Sequence, residues 1–317
     1  MTVNSLKVST WAGRNKTRVR LLKLFEIKKL LKENPDYVDR DEDWEPHYLT
    51  FSGPHALLER MLVNQGLVPA ENIVTIQTYR KLGQKHDGKE LLAQLIKTQK
   101  KYLKGMNIWP HDFSTFSKCY TLDGVTKPSD NKRALWSKSP YKKYMERVLS
   151  SEPQKFSILD LDFCGIFNEN NSNSVINLFN NKLLESTGVS FVTHQKGRDV
   201  RNGKLFEILH DYLKKCPWVD FETIPKINDE KSMTHVARYV LIPLYYMCKA
   251  YENNYVMELS RLVEYRDLGD DSSAAVNMLQ YFFKWFEADV IKDSYTHHRL
   301  NLEEVINSEY SYHRWLK

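Results

Sequence analysis

The chain has 317 residues, with 46 Lys and Arg against 40 Asp and Glu, a formal net charge of +6 and a sequence pI near 8.9. That length supplies one large or two small domains with a real core, and 42% hydrophobic with 27% charged residues excludes a disordered or fibrous chain. Four cysteines, Cys119, Cys164, Cys216 and Cys248, are widely spaced with no C-x-x-C and no His at ligand spacing, which argues against a disulfide framework or a metal site.

The opening segment lacks the apolar core of a secretory signal. The longest apolar stretch, Tyr239 to Cys248, falls short of the ~20 residues of a spanning helix and contains Pro243. The expectation is an intracellular protein, in the cytoplasm or a host-cell cytoplasm, with reduced thiols and no membrane partner.

Between Met1 and Pro35 nine basic residues stand against Glu26 and Glu33. From Arg18 the spacing of Leu21, Leu22, Leu24, Phe25, Leu30 and Leu31 predicts an amphipathic helix with a basic outer face, ending before Pro35. An acidic run from Asp36 to Glu45 follows as a solvated loop. Residues 1–46 therefore form a basic helical extension and acidic linker.

Tyr48 to Phe51 is a short β-prone run, Ser52-Gly53-Pro54 a turn, and Ala56 to Gln65 apolar at helical spacing. Asn72 to Ile76 is a β-branched strand, so the unit has the form of a parallel βαβ crossover. A Lys-rich helix at about Lys89 to Leu103 and a short strand at Met106 to Trp109 continue the pattern.

Phe156 to Asp162 reads as a buried strand ending in carboxylates. The Asn-rich NENNSNS stretch is predicted as a loop, Val175 to Thr187 as a helix and Val189 to Thr193 as a strand. Met233 to Tyr251 is a helix, after which two strand-like runs joined at Gly269 to Ser272 suggest an antiparallel hairpin. A polar helix near Leu300 to Asn307 closes the chain. Alternating strands and helices predict an α/β fold with a mainly parallel, Rossmann-like sheet, helices on both faces and a C-terminal antiparallel hairpin. The domain spans residues 47–288, with a helical tail over 289–317.

This order resembles the class I S-adenosylmethionine-dependent methyltransferases over Tyr48 to Glu287. Tyr48 to His55 stands where that family has its glycine-rich loop, Asp160 to Gly165 at the end of its fourth strand, and Phe191 to His194 at its fifth. The resemblance implies S-adenosylmethionine as cofactor, held by Ser52 and Gly53 in the first loop, Gln77 at the ribose, Asp112 with Phe113 at the adenine edge, and Asp160. It makes Asp162 the catalytic candidate on the acceptor side, able to accept a proton or orient a nucleophile.

Departures from the family pattern are visible in the same residues. The loop has only Gly53, in a chain with 12 glycines, below the usual ~7%. Gln77 replaces an acid, and LDLDFCG lacks the Asn/Asp-Pro-Pro-aromatic form of amino-methylating DNA enzymes. Cys164 and His194 read as a core thiol and a locally bonded imidazole.

Clustered Lys and Arg with interleaved aromatics suit a phosphate-tracking, base-stacking surface. The candidate nucleic-acid contacts are Arg14, Arg18 and Arg20 in the N-terminal segment and Lys132, Arg133, Lys142 and Lys143 near Trp136, Tyr141 and Tyr144. The leading expectation is methyl transfer to nucleic acid. Its alternative is an inactive methyltransferase-fold protein that binds nucleic acid or serves as a structural or adaptor subunit, with the basic N-terminal segment also offering a surface to a protein partner.

Overall fold

The computed structural model describes residues 14–32, 44–77, 88–127, 142–163, 167–196, 204–217, 219, 229–267, 276–288 and 311–315. The first helix is α1 (Arg14–Lys32). The parallel unit follows as β1 (Tyr48–Thr50), α2 (Leu57–Asn64), β2 (Ile73–Ile76), α3 (Gly88–Tyr102), β3 (Asn107–Trp109) and α4 (Phe113–Cys119). A small ribbon of β4 (Tyr120–Thr121) and β5 (Gly124–Val125) precedes α5 (Lys142–Leu149) and β6 (Phe156–Asp162).

After β6 come α6 (Glu169–Asn180), β7 (Leu184–Gln195) and α7 (Lys204–Lys215). A long helix is then built from α8 (Glu230–Val236), a π turn (Ala237–Leu241) and α9 (Ile242–Tyr251). The chain ends with β8 (Tyr255–Asp267), β9 (Val276–Glu287) and β10 (Ser311–Trp315).

Eight strands form one sheet in the order β10-β8-β9-β7-β6-β1-β2-β3. The pairs from β3 through β7 are parallel, while β9 runs antiparallel between β7 and β8. Strand β10 extends the sheet in parallel with β8, with Ser311 opposite Arg261. It adds a strand to a tail expected to be helical; the helix expected near Leu300 to Asn307 and the hairpin turn at Gly269 to Ser272 lie outside the described residues.

Side-chain alternation sorts the sheet into two layers. On β1, Tyr48 joins the core formed with α1, α2 and α3, through Val19, Ile27, Leu58, Leu62, Leu92 and Leu95. Its neighbour Leu49 joins the larger core formed with α4, α6, α7 and α9, through Phe116, Leu178, Leu209 and Leu244. The same alternation gives Ile158 to the first layer and Leu159 to the second.

The Asn-rich stretch forms a helix rather than a loop. Asn168 accepts from the Asn171 amide at 2.9 Å and so caps α6 within the run itself. Asn181 donates to the Ser117 carbonyl at 2.8 Å, tying the end of α6 to α4. Lys182, at φ 53, then turns the chain out of the helix and into β7, so residues 184–187, expected to be helical, are strand.

Helix α1 also departs from its sequence pattern. Leu21 and Phe25 are 51% and 57% exposed, whereas Lys23 and Glu26 are buried. The reason is electrostatic complementarity. Lys23 Nζ donates to Asp160 Oδ1 at 2.7 Å, and Arg261 Nη2 donates to Glu26 Oε1 at 3.1 Å.

Candidate functional site

In an open α/β sheet, loops leaving neighbouring strands in opposite directions open a crevice at the carboxyl ends. Here that point lies between β1 and β6. Thr50 pairs with Asp160, so Asp162 projects two residues beyond the end of β1.

The loop after β1 is held by side chains. Glu59 of α2 is buried and accepts from Thr50 Oγ1 at 3.1 Å and from Ser52 Oγ at 2.7 Å. Thr75 Oγ1 on β2 accepts from the Ser52 amide at 3.1 Å. Burial raises the Glu59 pKa, against the hydroxyl bonds that favour the ion.

The turn closes where the Ala56 amide donates to the Gly53 carbonyl at 3.0 Å. Ala56 adopts φ 43 and ψ 54 at the start of α2. The left-handed residue of this turn is therefore Ala56 rather than Gly53, and a side chain is carried in a conformation that favours glycine.

Gln77 follows β2, its main-chain N–H donating to the Trp109 carbonyl at 3.1 Å. Asp112 caps α4, with Oδ1 accepting from the Thr115 amide and hydroxyl, both at 2.8 Å. Burial pushes its pKa up, but the bonds from His111 and Thr115 outweigh that and hold it well below the usual carboxylate range. Phe113 is buried against Phe51 and Phe163, with ring centroids 5.0 and 5.9 Å apart.

Asp160 is committed to a buried pair, accepting from Lys23 at 2.7 Å and from Tyr48 Oη at 3.1 Å. Asp162 is half-buried at the rim. Arg20 of α1 is drawn toward this group: burial lowers its pKa, while Glu59, Asp160, Tyr265 and Asp162 oppose that shift.

The structure brings Ser52, Gly53, Gln77, Asp112, Phe113, Asp160 and Asp162 to one end of the sheet. Lys142 and Lys143 are exposed on α5, the first 3.4 Å from Glu146 and the second over the Tyr144 ring. Lys132, Arg133 and the surroundings of the Arg14 side chain lie outside the described residues, as does Cys164.

Sequence reasoning missed Glu59, whose signal is an acid at a helix position flanked by buried Leu58 and Leu62. It also passed over the depth of His194 on β7. This imidazole is buried, its Nε2 lies 3.0 Å from Tyr246 Oη, and its ring stacks on Phe163 at 5.3 Å. Its Nδ1 has no hydrogen-bond partner. Burial pushes its pKa down to about 3.

Among the described residues no group of three or more His, Cys, Asp or Glu is placed to hold a metal ion. Nor is any described helix long and apolar enough to cross a membrane.

No protein-family model matches the chain, and no curated protein matches it. Among solved structures it is similar to a candidate RNA methyltransferase from Pyrococcus horikoshii, at 10% identity and TM-score 0.40, covering 89% of this chain and 91% of that one. It is also similar to the plantazolicin methyltransferase BpumL solved with SAH and a desmethyl plantazolicin analogue, at 9% identity and TM-score 0.35, covering 88% and 95%. A third, coclaurine N-methyltransferase bound to N-methylheliamine and SAH, stands at 8% identity and TM-score 0.29, covering 83% and 72%.

At these scores the likenesses carry no argument of their own. Strand order does. Numbering only the strands of the main sheet, the order from β3 inward is third, second, first, fourth, fifth, then an antiparallel seventh before the sixth, with the eighth at the far edge. With the crevice between the first and fourth strands, the chain has a Rossmann-like α/β fold of the kind its resemblance to the class I S-adenosylmethionine-dependent methyltransferases implies.

Proposed function

We propose that this chain transfers a methyl group from S-adenosylmethionine to a nucleic acid. The observation that carries the reading is the placing of Asp162 beyond the end of β1, at the rim where α1 also begins. Asn15 of α1 donates to the Arg266 carbonyl at 3.3 Å, near the carboxyl end of β8, so the basic helix starts beside that rim.

The cofactor, when bound, supplies an electrophilic methyl on a sulfonium centre. The chain's residues fit its requirements in part. The Gln77 amide suits ribose hydroxyls, the turn at Gly53 to Ala56 brings backbone to the crevice, and the carboxylate at Asp162 favours a cationic neighbour. Asp162 would take the acceptor's proton or hold its attacking atom, while Phe51, Phe113 and Phe163 exclude water. Arg18, partly exposed on α1, would meet phosphate.

A second reading has its own support. Gln77 carries no charge where an acid is expected, Asp112 is bound to α4, and Asp160 to Lys23. These fit a methyltransferase-fold protein that binds nucleic acid without catalysis.

The two separate in one experiment. Protein incubated with methyl-labelled S-adenosylmethionine and mixed single-stranded RNA or DNA should label one of them. Asp162→Ala should lower the rate about 10²–10⁴-fold. Binding of nucleic acid with no label transferred would overturn the catalytic reading in favour of the second.

A further inference from the structure

Beyond Asp162, along the same rim, a second polar cluster stands outside the residues discussed so far. Glu264 of β8 is completely buried. A carboxylate in such a place needs partners, and two supply them. Lys196 Nζ donates to Glu264 Oε1 at 2.7 Å, and Tyr239 Oη donates to Oε2 at 2.7 Å. Lys196 also donates to Tyr239 Oη at 2.9 Å.

A buried ion pair of this kind is a weak source of stability, since an apolar set of similar volume does as well or better. Its effect here is to fix Lys196. An ammonium has three protons, and the bonds to Glu264 and Tyr239 use two, leaving the third on a group whose side chain keeps 22% of its exposure.

Tyr239 is set by the π turn of Ala237–Leu241. Such turns insert a residue into a helix and recur at functional sites. His235, exposed, stacks on the Tyr239 ring with centroids 4.3 Å apart at 26°, and Lys196 lies 5.4 Å from the same ring. Partial desolvation and the nearby Lys196 lower the His235 pKa, against the opposing pull of Glu264.

The cluster lies at the same carboxyl end of the sheet as Asp162, on its α8–α9 side. Thr193 pairs with Asp162 across β7 and β6, and Lys196 follows three residues later, about 10 Å along the strand direction. The Lys196 amide donates to the Asn277 carbonyl at 2.7 Å, which ties this turn to β9.

The geometry points to a nucleotide subsite at the carboxyl end of β7, in which an unstacked base lies against His235 on Tyr239 and its phosphate meets Lys196. This rests on the nucleic-acid reading above and narrows it to single strands or bases turned out of a duplex, because a base inside a stack has no free face.

Fluorescence anisotropy with a labelled twelve-nucleotide single strand, and with the same sequence as a duplex, tests it. The single strand should bind more tightly. His235→Ala, an exposed change, should weaken that binding roughly five- to one-hundred-fold with little change in salt slope, and His235→Trp should restore it. Lys196→Gln should reduce the slope of log K against log salt by about 0.7, and thermal melting identifies any loss of fold. Wild-type binding that His235→Ala leaves unchanged overturns the subsite alone. Failure of the wild-type protein to bind either oligonucleotide overturns both the subsite and the nucleic-acid acceptor.

Discussion

Lys23 and Asp160 lie 137 residues apart in the chain and 2.7 Å apart in the fold. Removing one member of such a buried pair strands the other charge, at about 3–5 kcal/mol. No local pattern announces this pairing, since Lys23 falls in a basic run that reads as solvated. Asp162, by contrast, is legible from the strand that ends in it, and Gln77 from its place after β2. The turn was only half legible. Gly53 is visible as a turn residue, but nothing in the letter Ala marks position 56 as left-handed.

His194 gives the residue scale its pH dependence. Its folded pKa is about 3, whereas an unfolded histidine titrates near ~6.5. Between those values the unfolded chain binds the extra proton, so the stability tied to a neutral His194 is present above pH ~6.5 and is lost as pH falls toward the folded value. The slope is about 1.4 kcal/mol per pH unit. His194→Phe should flatten this limb in urea unfolding series at several pH values, and it removes an unpartnered Nδ1. An unchanged slope would mean that His194 does not titrate as a buried group.

At the scale of elements, strand β6 is the most legible, because the run Phe156 to Leu161, apolar at four of its six positions and ending in Asp162, has few other solutions. Its partner β7 is less so. The segment before Val189 contains Gly188, which faces Trp285 of β9 in register. A β-carbon there would overlap the Trp285 ring and the Ser157 carbonyl, so glycine serves close approach of an indole rather than a turn. Trp285 Nε1 donates to the Glu185 carbonyl at 3.0 Å and cannot swing away freely. Gly188→Ala should therefore destabilise the protein by about 1–3 kcal/mol or more, seen as a lower melting temperature; an unchanged melting temperature would show that the Trp285 contact is loose.

Helices were misread where side chains bond in unexpected directions. The Asn run suggests a loop because Asn favours caps and turns, and one of its members does cap, with the helix continuing through the rest. In α1 the apolar letters suggested the buried face, but ion pairs to Asp160 and Arg261 rotate Lys23 and Glu26 inward and leave Leu21 and Phe25 outside.

For the whole molecule, alternation of strand and helix followed by a hairpin was enough to predict the mainly parallel sheet and its antiparallel hairpin strands, but not the edge strand β10, in a tail expected to be helical. What the order could not supply was the inner polar wiring, which depends on contacts between segments remote in sequence. The net charge of +6 likewise divides on folding. Lys23 serves Asp160 beneath the rim, and Arg18, Arg20, Lys142 and Lys143 keep some exposure.

The scarcity of glycine acquires a physical meaning in this fold. The loop that elsewhere relies on glycine is held by Glu59, Thr50, Ser52 and Thr75 and by a strained Ala56. We propose that this side-chain scaffold still leaves a cofactor crevice between β1 and β6. Isothermal titration calorimetry of the full chain with S-adenosylhomocysteine tests that directly. A saturable isotherm with one site per chain, lost on changing Gln77 and Gly53 together to bulky residues in a variant that still melts cooperatively, is the predicted result; a flat trace with the folded wild-type protein would contradict it.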